Sequence, residues 1–161
     1  MVGVVGRQNA GKTTFLTRLL PALIVRGLCV AAIKHSPHGF EIDRPGKDTW
    51  SLRQTGVDQT LIVGRALLAI VERVESEPSL AEVIARHVRP EVDLIVCEGY
   101  TKEAHPKIEV AREAVSTELL LSDGELLAVV ADFTPRTTRP VFRPDRADDV
   151  AALIVREVLR R

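Results

Sequence analysis

The distribution of apolar and polar positions divides the chain into short strands alternating with helices. Val2 to Val5 is a brief apolar run broken only by Gly3, as a buried strand requires. From Thr14 to Arg26, the residues Phe15, Leu16, Leu19, Leu20, Leu23 and Ile24 recur at helical spacing. Pro21 inside that run predicts a kink or a fresh turn, and Gly27 predicts the stop. Leu28 to Ile33 is apolar throughout and predicts an interior parallel strand. Strand, helix and strand together make a βαβ unit with a right-handed crossover.

The rest of the chain continues the alternation. Asp48 or Thr49 is placed to cap a short helix through Gln54, ended by Gly56. Val57 to Val63 and Leu67 to Val74 read as the arms of an antiparallel hairpin across Gly64-Arg65-Ala66, although Leu67 to Glu72 also suits a helix. Ser79 to Val88 has helical periodicity between Pro78 and Pro90. Asp93 to Gly99 predicts a strand with Asp93 solvated at its start. Pro106 to Arg112 alternates like an edge strand or hairpin arm, and Ser116 to Leu121 fits no element. Leu126 to Ala131 predicts a buried strand ending in Asp132, and Val141-Phe142 a last short one. Asp145 or Asp148 then opens a closing helix, Val150 to Leu159.

Between the first strand and the first helix stands Gly6-Arg7-Gln8-Asn9-Ala10-Gly11-Lys12-Thr13. It meets every fixed position of the phosphate-loop pattern G-x-x-x-x-G-K-[ST], in the right structural context. A polyphosphate needs several donors converging on it without side chains in the way. A loop opening onto a helix N-terminus supplies backbone N–H groups and the positive end of the helix dipole. Gly6 and Gly11 permit the tight backbone path, with Asn9 and Ala10 between them. Lys12 reaches the β- and γ-phosphates, the Thr13 hydroxyl suits Mg²⁺, and Thr14 adds a hydroxyl for a phosphate. The expected fold is therefore α/β: a three-layer phosphate-loop NTPase-like fold, with a mostly parallel central sheet and an antiparallel hairpin extension. A single domain is expected over residues 1–161.

In open α/β sheets the ligand crevice lies beyond the carboxyl ends of the strands. Lys34 to Asp48 leaves the second strand there, carrying Lys34, His35, His38, Glu41, Asp43, Lys47 and Asp48. No Cys or further His completes a zinc set with His35 and His38. Glu98, at the tip of the strand Asp93 to Gly99, is where a nucleotide site positions Mg²⁺ or its water, and it is the candidate for ordering a hydrolytic water. Asp132 suits a guanine contact, yet it lacks the Asn-Lys-x-Asp sequence, and a strand-ending cap explains it equally well.

Composition changes this picture little. Hydrophobic residues make up 45% and charged residues 27% of the chain, and the formal net charge is zero. That balance gives no electrostatic case for nucleic acid or an anionic membrane. Cys29 and Cys97 lie in apolar runs and read as buried reduced thiols. The N-terminal strand runs straight into the phosphate loop, which must be kept, so no secretory signal is expected. With no apolar stretch of membrane-spanning length, a cytoplasmic location is expected.

Several stretches together resemble the MobB family, the small GTP-binding proteins of molybdopterin-guanine dinucleotide biosynthesis. They are the N-terminal GKTT, IKHSPHGFEIDRPGKDTW, LRQTGVDQTLIV, DLIVCEGYTKEAHPKIEV and AVVAD. The second and fourth are the specific ones. The resemblance implies a homodimer that binds GTP with Mg²⁺, hydrolyses it weakly and assists a MobA-type guanylyltransferase. Molybdopterin itself or a molybdoenzyme is a further implied partner. Gly11, Lys12, Thr13 and Thr14 carry over for phosphates and metal, Asp43 and Glu98 for the acidic positions near the metal, and Lys34 and His35 for the signature loop. Two departures stand out: Arg7-Gln8-Asn9-Ala10 replaces the small Ser/Gly residues frequent in relatives, and Gly99-Tyr100-Thr101-Lys102 stands where many read Gly-Phe-Lys. Two other readings fit the same residues. One is a small-molecule kinase gripping its acceptor with Lys34, His35 and Lys47; the other is a non-catalytic adaptor shaped by bound nucleotide.

Overall fold

The computed structural model describes residues 1–160. Its elements are β1 (Val2–Val5), α1 (Lys12–Val25), β2 (Val30–Lys34), α2 (Asp48–Gln54), β3 (Gln59–Val63), β4 (Leu68–Glu72), α3 (Leu80–His87), β5 (Leu94–Glu98), β6 (Lys107–Ala111), β7 (Leu126–Ala131), β8 (Val141–Phe142) and α4 (Ala147–Glu157). They form two compact units, residues 1–35 with 88–161 and residues 36–87.

The first unit holds a six-stranded sheet in the order β2-β5-β1-β6-β7-β8. Every pairing in it is parallel. The two-residue period of a strand sends Val2, Val4, Leu94, Val96, Ile108, Val110, Ala128 and Val130 to one face. Phe15, Leu16, Leu19 and Leu23 of α1 and Val150, Leu153 and Ile154 of α4 close over that face. On the opposite face Ala111, Leu126, Val129 and Ala131 pack against Leu119, Leu121 and Phe133. Burying the side chains of α1 alone is worth about 1.5–3 kcal/mol each, which lets the helix carry Pro21 without ending there. Gly27, at φ +81°, follows the helix as expected.

The sheet order corrects two sequence expectations. β2 is the edge strand, not an interior one. Its apolar composition reports what its faces touch and says nothing of its rank in the sheet. β6, expected at an edge, lies between β1 and β7 and is buried along its length. Its polar residues misled the reading: Glu109 is 1% exposed because its carboxylate accepts the N–H groups of Leu120 (2.7 Å) and Leu121 (3.1 Å). Those bonds fasten the irregular segment that covers this face. Asp93 is exposed as expected, but Oδ2 also accepts the Cys29 N–H at 2.9 Å, tying the start of β5 to the approach to β2. Cys97 is buried and Cys29 half-buried, and both are free thiols. Burial pushes the Cys97 thiol up to about 11.

The expected caps also differ. α4 begins after Arg146, with Asp148 and Asp149 inside its first turn, where their charge is favourable at the positive end of the helix dipole. Asp145 and Asp148 are therefore not its cap.

The second unit contains the hairpin, with Gln59 opposite Glu72 and Val63 opposite Leu68. Leu68–Glu72 is thus a strand. α2 starts at Asp48 after Lys47, with no side-chain cap, so neither Asp48 nor Thr49 caps it. α3 is capped in full: Ser79 N–H and Oγ both donate to Glu82 Oε2 (2.8 and 2.7 Å), and Glu82 N–H donates back to Ser79 Oγ (3.3 Å).

Candidate functional site

The phosphate loop joins the C-terminal end of β1 to α1. The Ala10 N–H donates to the Arg7 carbonyl at 3.2 Å, which turns the loop back on itself. Asn9 sits at φ +63° and Gly11, the residue before α1, at φ +91°. Ala10 is buried beneath the turn. Gly6 has φ +145°, and a Cβ there would overlap the carbonyl oxygen of Val110 in β6. The close approach of loop and strand therefore needs glycine for both reasons.

The first N–H groups of α1 have no intrahelical acceptor and point out of its N-terminus. Lys12 Nζ donates to the carbonyls of Gly6 and Arg7, both at 2.9 Å, which holds the ammonium over the loop. Thr13 Oγ1 donates to Glu98 Oε1 at 2.9 Å. The sheet register explains that meeting. Val4 pairs with Glu98, so the acid at the tip of β5 lies beside the strand that feeds the loop. Glu98 is 9% exposed, and its Oε2 lies 3.7 Å from Lys34 Nζ, whose residue pairs with Glu98 across the ladder. Thr14 is exposed on the first turn.

The structure brings Gly6, Asn9, Ala10, Gly11, Lys12, Thr13, Lys34, His35 and Glu98 to one edge of the sheet. The His35 N–H donates to the Glu98 carbonyl at 2.9 Å, and its ring stacks on Tyr100 with centroids 4.6 Å apart. Gly99 (φ +94°) allows the approach, since a Cβ there would press on His35 Cβ at 3.1 Å. Tyr100 is a neighbour of these residues to which the sequence reading gives no role. Its φ of +52° is uncommon for an aromatic residue, and no local pattern announces it.

Two further predicted residues have contacts of their own. Asp132 follows β7, and its Oδ1 accepts the Glu113 N–H at 2.8 Å while Arg112 Nε lies 3.9 Å from Oδ2. That is the geometry of a strand-ending cap. Asp43 belongs to the second unit; its Oδ1 accepts the Arg44 N–H at 2.9 Å, and its Oδ2 is buried without a hydrogen-bond partner. No group of three or more His, Cys, Asp or Glu residues able to hold a metal occurs among the described residues. A magnesium site does not need one, since Mg²⁺ takes one or two carboxylates and completes its shell with phosphate and water.

A parallel sheet, a glycine-bounded loop opening onto a helix, and a Thr–acid pair beside it define an α/β protein of the phosphate-loop fold. The model of the family described as MobB, molybdopterin guanine dinucleotide synthesis protein B, matches residues 1–132, and the chain belongs to that family. A molybdopterin-guanine dinucleotide biosynthesis adapter protein of Haemophilus influenzae is 31% identical over 96% of this chain and 86% of its own. The adapter protein of Escherichia coli is 36% identical over 78% of this chain and 74% of its own. The crystal structure of molybdopterin-guanine biosynthesis protein B superposes with a TM-score of 0.75 at 28% identity, covering 99% of both chains. Bacillus subtilis MobB gives 0.74 at 28% identity, over 94% of this chain and 96% of that one. Membership gives the chain an accessory role in molybdenum cofactor biosynthesis.

Proposed function

We propose that the chain binds GTP and Mg²⁺ through its phosphate loop, hydrolyses the nucleotide slowly, and works as a homodimer beside a MobA-type guanylyltransferase. The observation that carries the nucleotide reading is the Thr13–Glu98 contact at the loop. Thr13 Oγ1 and Glu98 Oε1, held 2.9 Å apart by their hydrogen bond, are the two oxygens that would hold Mg²⁺, directly or through water. Bound there, Mg²⁺ would neutralise charge on the β- and γ-phosphates. Asp43 keeps an unpartnered carboxylate oxygen, as a metal or water ligand would, and its role rests on the resemblance.

This chain's own groups would do the rest. Lys12 exchanges its two carbonyl acceptors for phosphate oxygens, and the backbone N–H groups of the loop hold the remaining charge. Glu98, anchored by Thr13 and Lys34, orders a water. Arg7 is the one arginine inside the loop, and it is exposed. The loop itself offers no second cation fixed by a hydrogen bond beside Lys12, and slow turnover is expected until a partner completes the site.

The test is the magnesium dependence of nucleotide affinity. Glu98→Gln keeps the shape and removes the charge, so the tightening that Mg²⁺ gives in wild type should fall by about 10- to 150-fold, given the ~1.5–3 kcal/mol of a charged contact. Undiminished tightening would remove Glu98 from the metal site.

The dimer is supported by the hairpin of the second unit, which exposes Leu61, Ile62, Val63, Leu67, Leu68 and Ile70. Sedimentation of the chain alone, then with guanylyltransferase, checks both associations. The expected mass alone is twice 17.7 kDa, with a heavier species on mixing. A single-chain mass at micromolar concentration, or no heavier species, would rule out the respective association.

A further inference from the structure

A buried ammonium needs a counter-charge or several acceptors, because taking a charge out of water costs several kcal/mol. Lys107 opens β6 and is only 4% exposed, yet its Nζ makes one long contact, 3.4 Å to the His105 carbonyl. Among the described residues no carboxylate lies within ion-pair distance of it. The acid it influences is Glu125 on the groove wall, whose carboxyl is held below its ordinary value by the Ser122 bonds first and by the Lys107 charge as a smaller cause. His105, beside it, has both ring nitrogens buried without a hydrogen-bond partner. A neutral imidazole carries one donor and one acceptor, so both are missing their partners.

Lys107 and His105 line the same groove, of about 590 Å³, with Lys102, Glu103, Glu125 and Leu126 among its walls. The groove lies where β6 and β7 begin, whereas the phosphate loop follows the end of β1. All three strands are parallel, so groove and loop occupy opposite edges of the sheet. The ladder is irregular at this point: the β6–β7 register shifts between Lys107 and Ile108, leaving Leu127 without a counterpart. Such bulges re-aim side chains and recur beside functional sites.

We propose that Lys107, His105 and Lys102 form a second anion site, for the oxyanion of a small ligand carrying a phosphate monoester or a carboxylate. The Lys107 ammonium has three N–H donors and gives one of them to a long contact, so an oxyanion supplies the missing acceptors. The imidazole packs over Gly3 beside it, and exposed Lys102 adds charge at the rim. Glu103 and Glu125 limit the charge the groove accepts, which favours a single oxyanion over a polyphosphate. The Glu125 carboxylate is itself engaged, accepting the N–H (3.2 Å) and hydroxyl (2.8 Å) of Ser122. The site stands independently of the nucleotide reading.

The experiment is a titration of the full chain carrying Lys12→Ala, which silences the phosphate loop, with inorganic phosphate in one arm and acetate in the other. Backbone amide resonances report the outcome. Saturable shifts at residues 102–107 and 124–127 are expected in at least one arm; phosphate identifies the monoester, acetate the carboxylate. Lys107→Met should abolish them. Glu125→Gln should tighten binding about two- to threefold by removing a repelling surface charge, an effect that a damaged fold would not produce. Linear, unsaturated shifts in both arms, or saturation unchanged by Lys107→Met, would overturn the site.

The His105 ring gives a second readout. Burial first, then the Lys107 charge and the amino terminus, hold its pKa below the ordinary value, with Glu103 opposing them. A bound anion should move that titration upward, and a His105 titration indifferent to saturating anion would count against its place in the site.

Discussion

Lys12→Ala is expected to weaken GTP binding by about 10- to 150-fold, the equivalent of ~1.5–3 kcal/mol for charge-assisted hydrogen bonds. The side chain already lies over the loop on the carbonyls of Gly6 and Arg7, so its ammonium needs little reorganisation to meet a phosphate. Removing it should leave the fold intact, because both acceptors stay within reach of water at the loop surface. Calorimetric titration of the magnesium-loaded protein with a GTP analogue, then an ATP analogue, reads the effect. A preference for GTP lost in Lys12→Ala supports the guanine nucleotide reading, whereas a preference for ATP would bring forward the kinase. An unchanged affinity in the variant would falsify the phosphate-loop assignment.

Gly6→Ala should damage both stability and binding. The new Cβ would overlap the carbonyl oxygen of Val110, which belongs to a central strand and cannot withdraw without disturbing the β1–β6 ladder. The backbone angle, φ +145°, adds strain for any residue with a Cβ. A loss of about 3 kcal/mol or more is expected, which for a chain of this size lowers the thermal midpoint by about 6–12 °C. Gly11→Ala is the informative control. Its φ is also positive, at +91°, but a Cβ there meets nothing within 4 Å. It should therefore be the milder of the two, and equal destabilisation by both would show that steric overlap at Gly6 contributes nothing.

The local parts of this protein were legible in the sequence because each rests on a local cause. The phosphate loop is a set of spacings, and its strand–loop–helix context follows from apolar periodicity on either side. Glu98 was readable as an acid ending a buried strand. The hairpin and α3 were placed to within a few residues, and Pro78 with Pro90 bracketed the latter. Family membership was legible too, since it lies in ordered stretches of sequence and needs no coordinates.

Order within the sheet was not legible, because hydrogen bonding between strands distant in sequence has no local signature. Thus β2, apolar from Val30 to Ile33, took an edge, and β6, with Lys107 and Glu109 in it, took the interior. A polar residue in a strand reads as solvent-facing unless something distant satisfies it. For Glu109 that something is a pair of N–H groups 11 and 12 residues away. The partners of two of the predicted acids were decided in the same way: tertiary structure set Glu98 against Thr13 and brought the Glu113 N–H to Asp132. The sequence by itself determined that there is a phosphate loop, what family bears it and which residues carry its charge. Only the tertiary structure decided which carboxylate meets Thr13, where the central strand lies and which lysine is buried outside any ion pair, because each depends on contacts between segments that local propensity leaves unspecified.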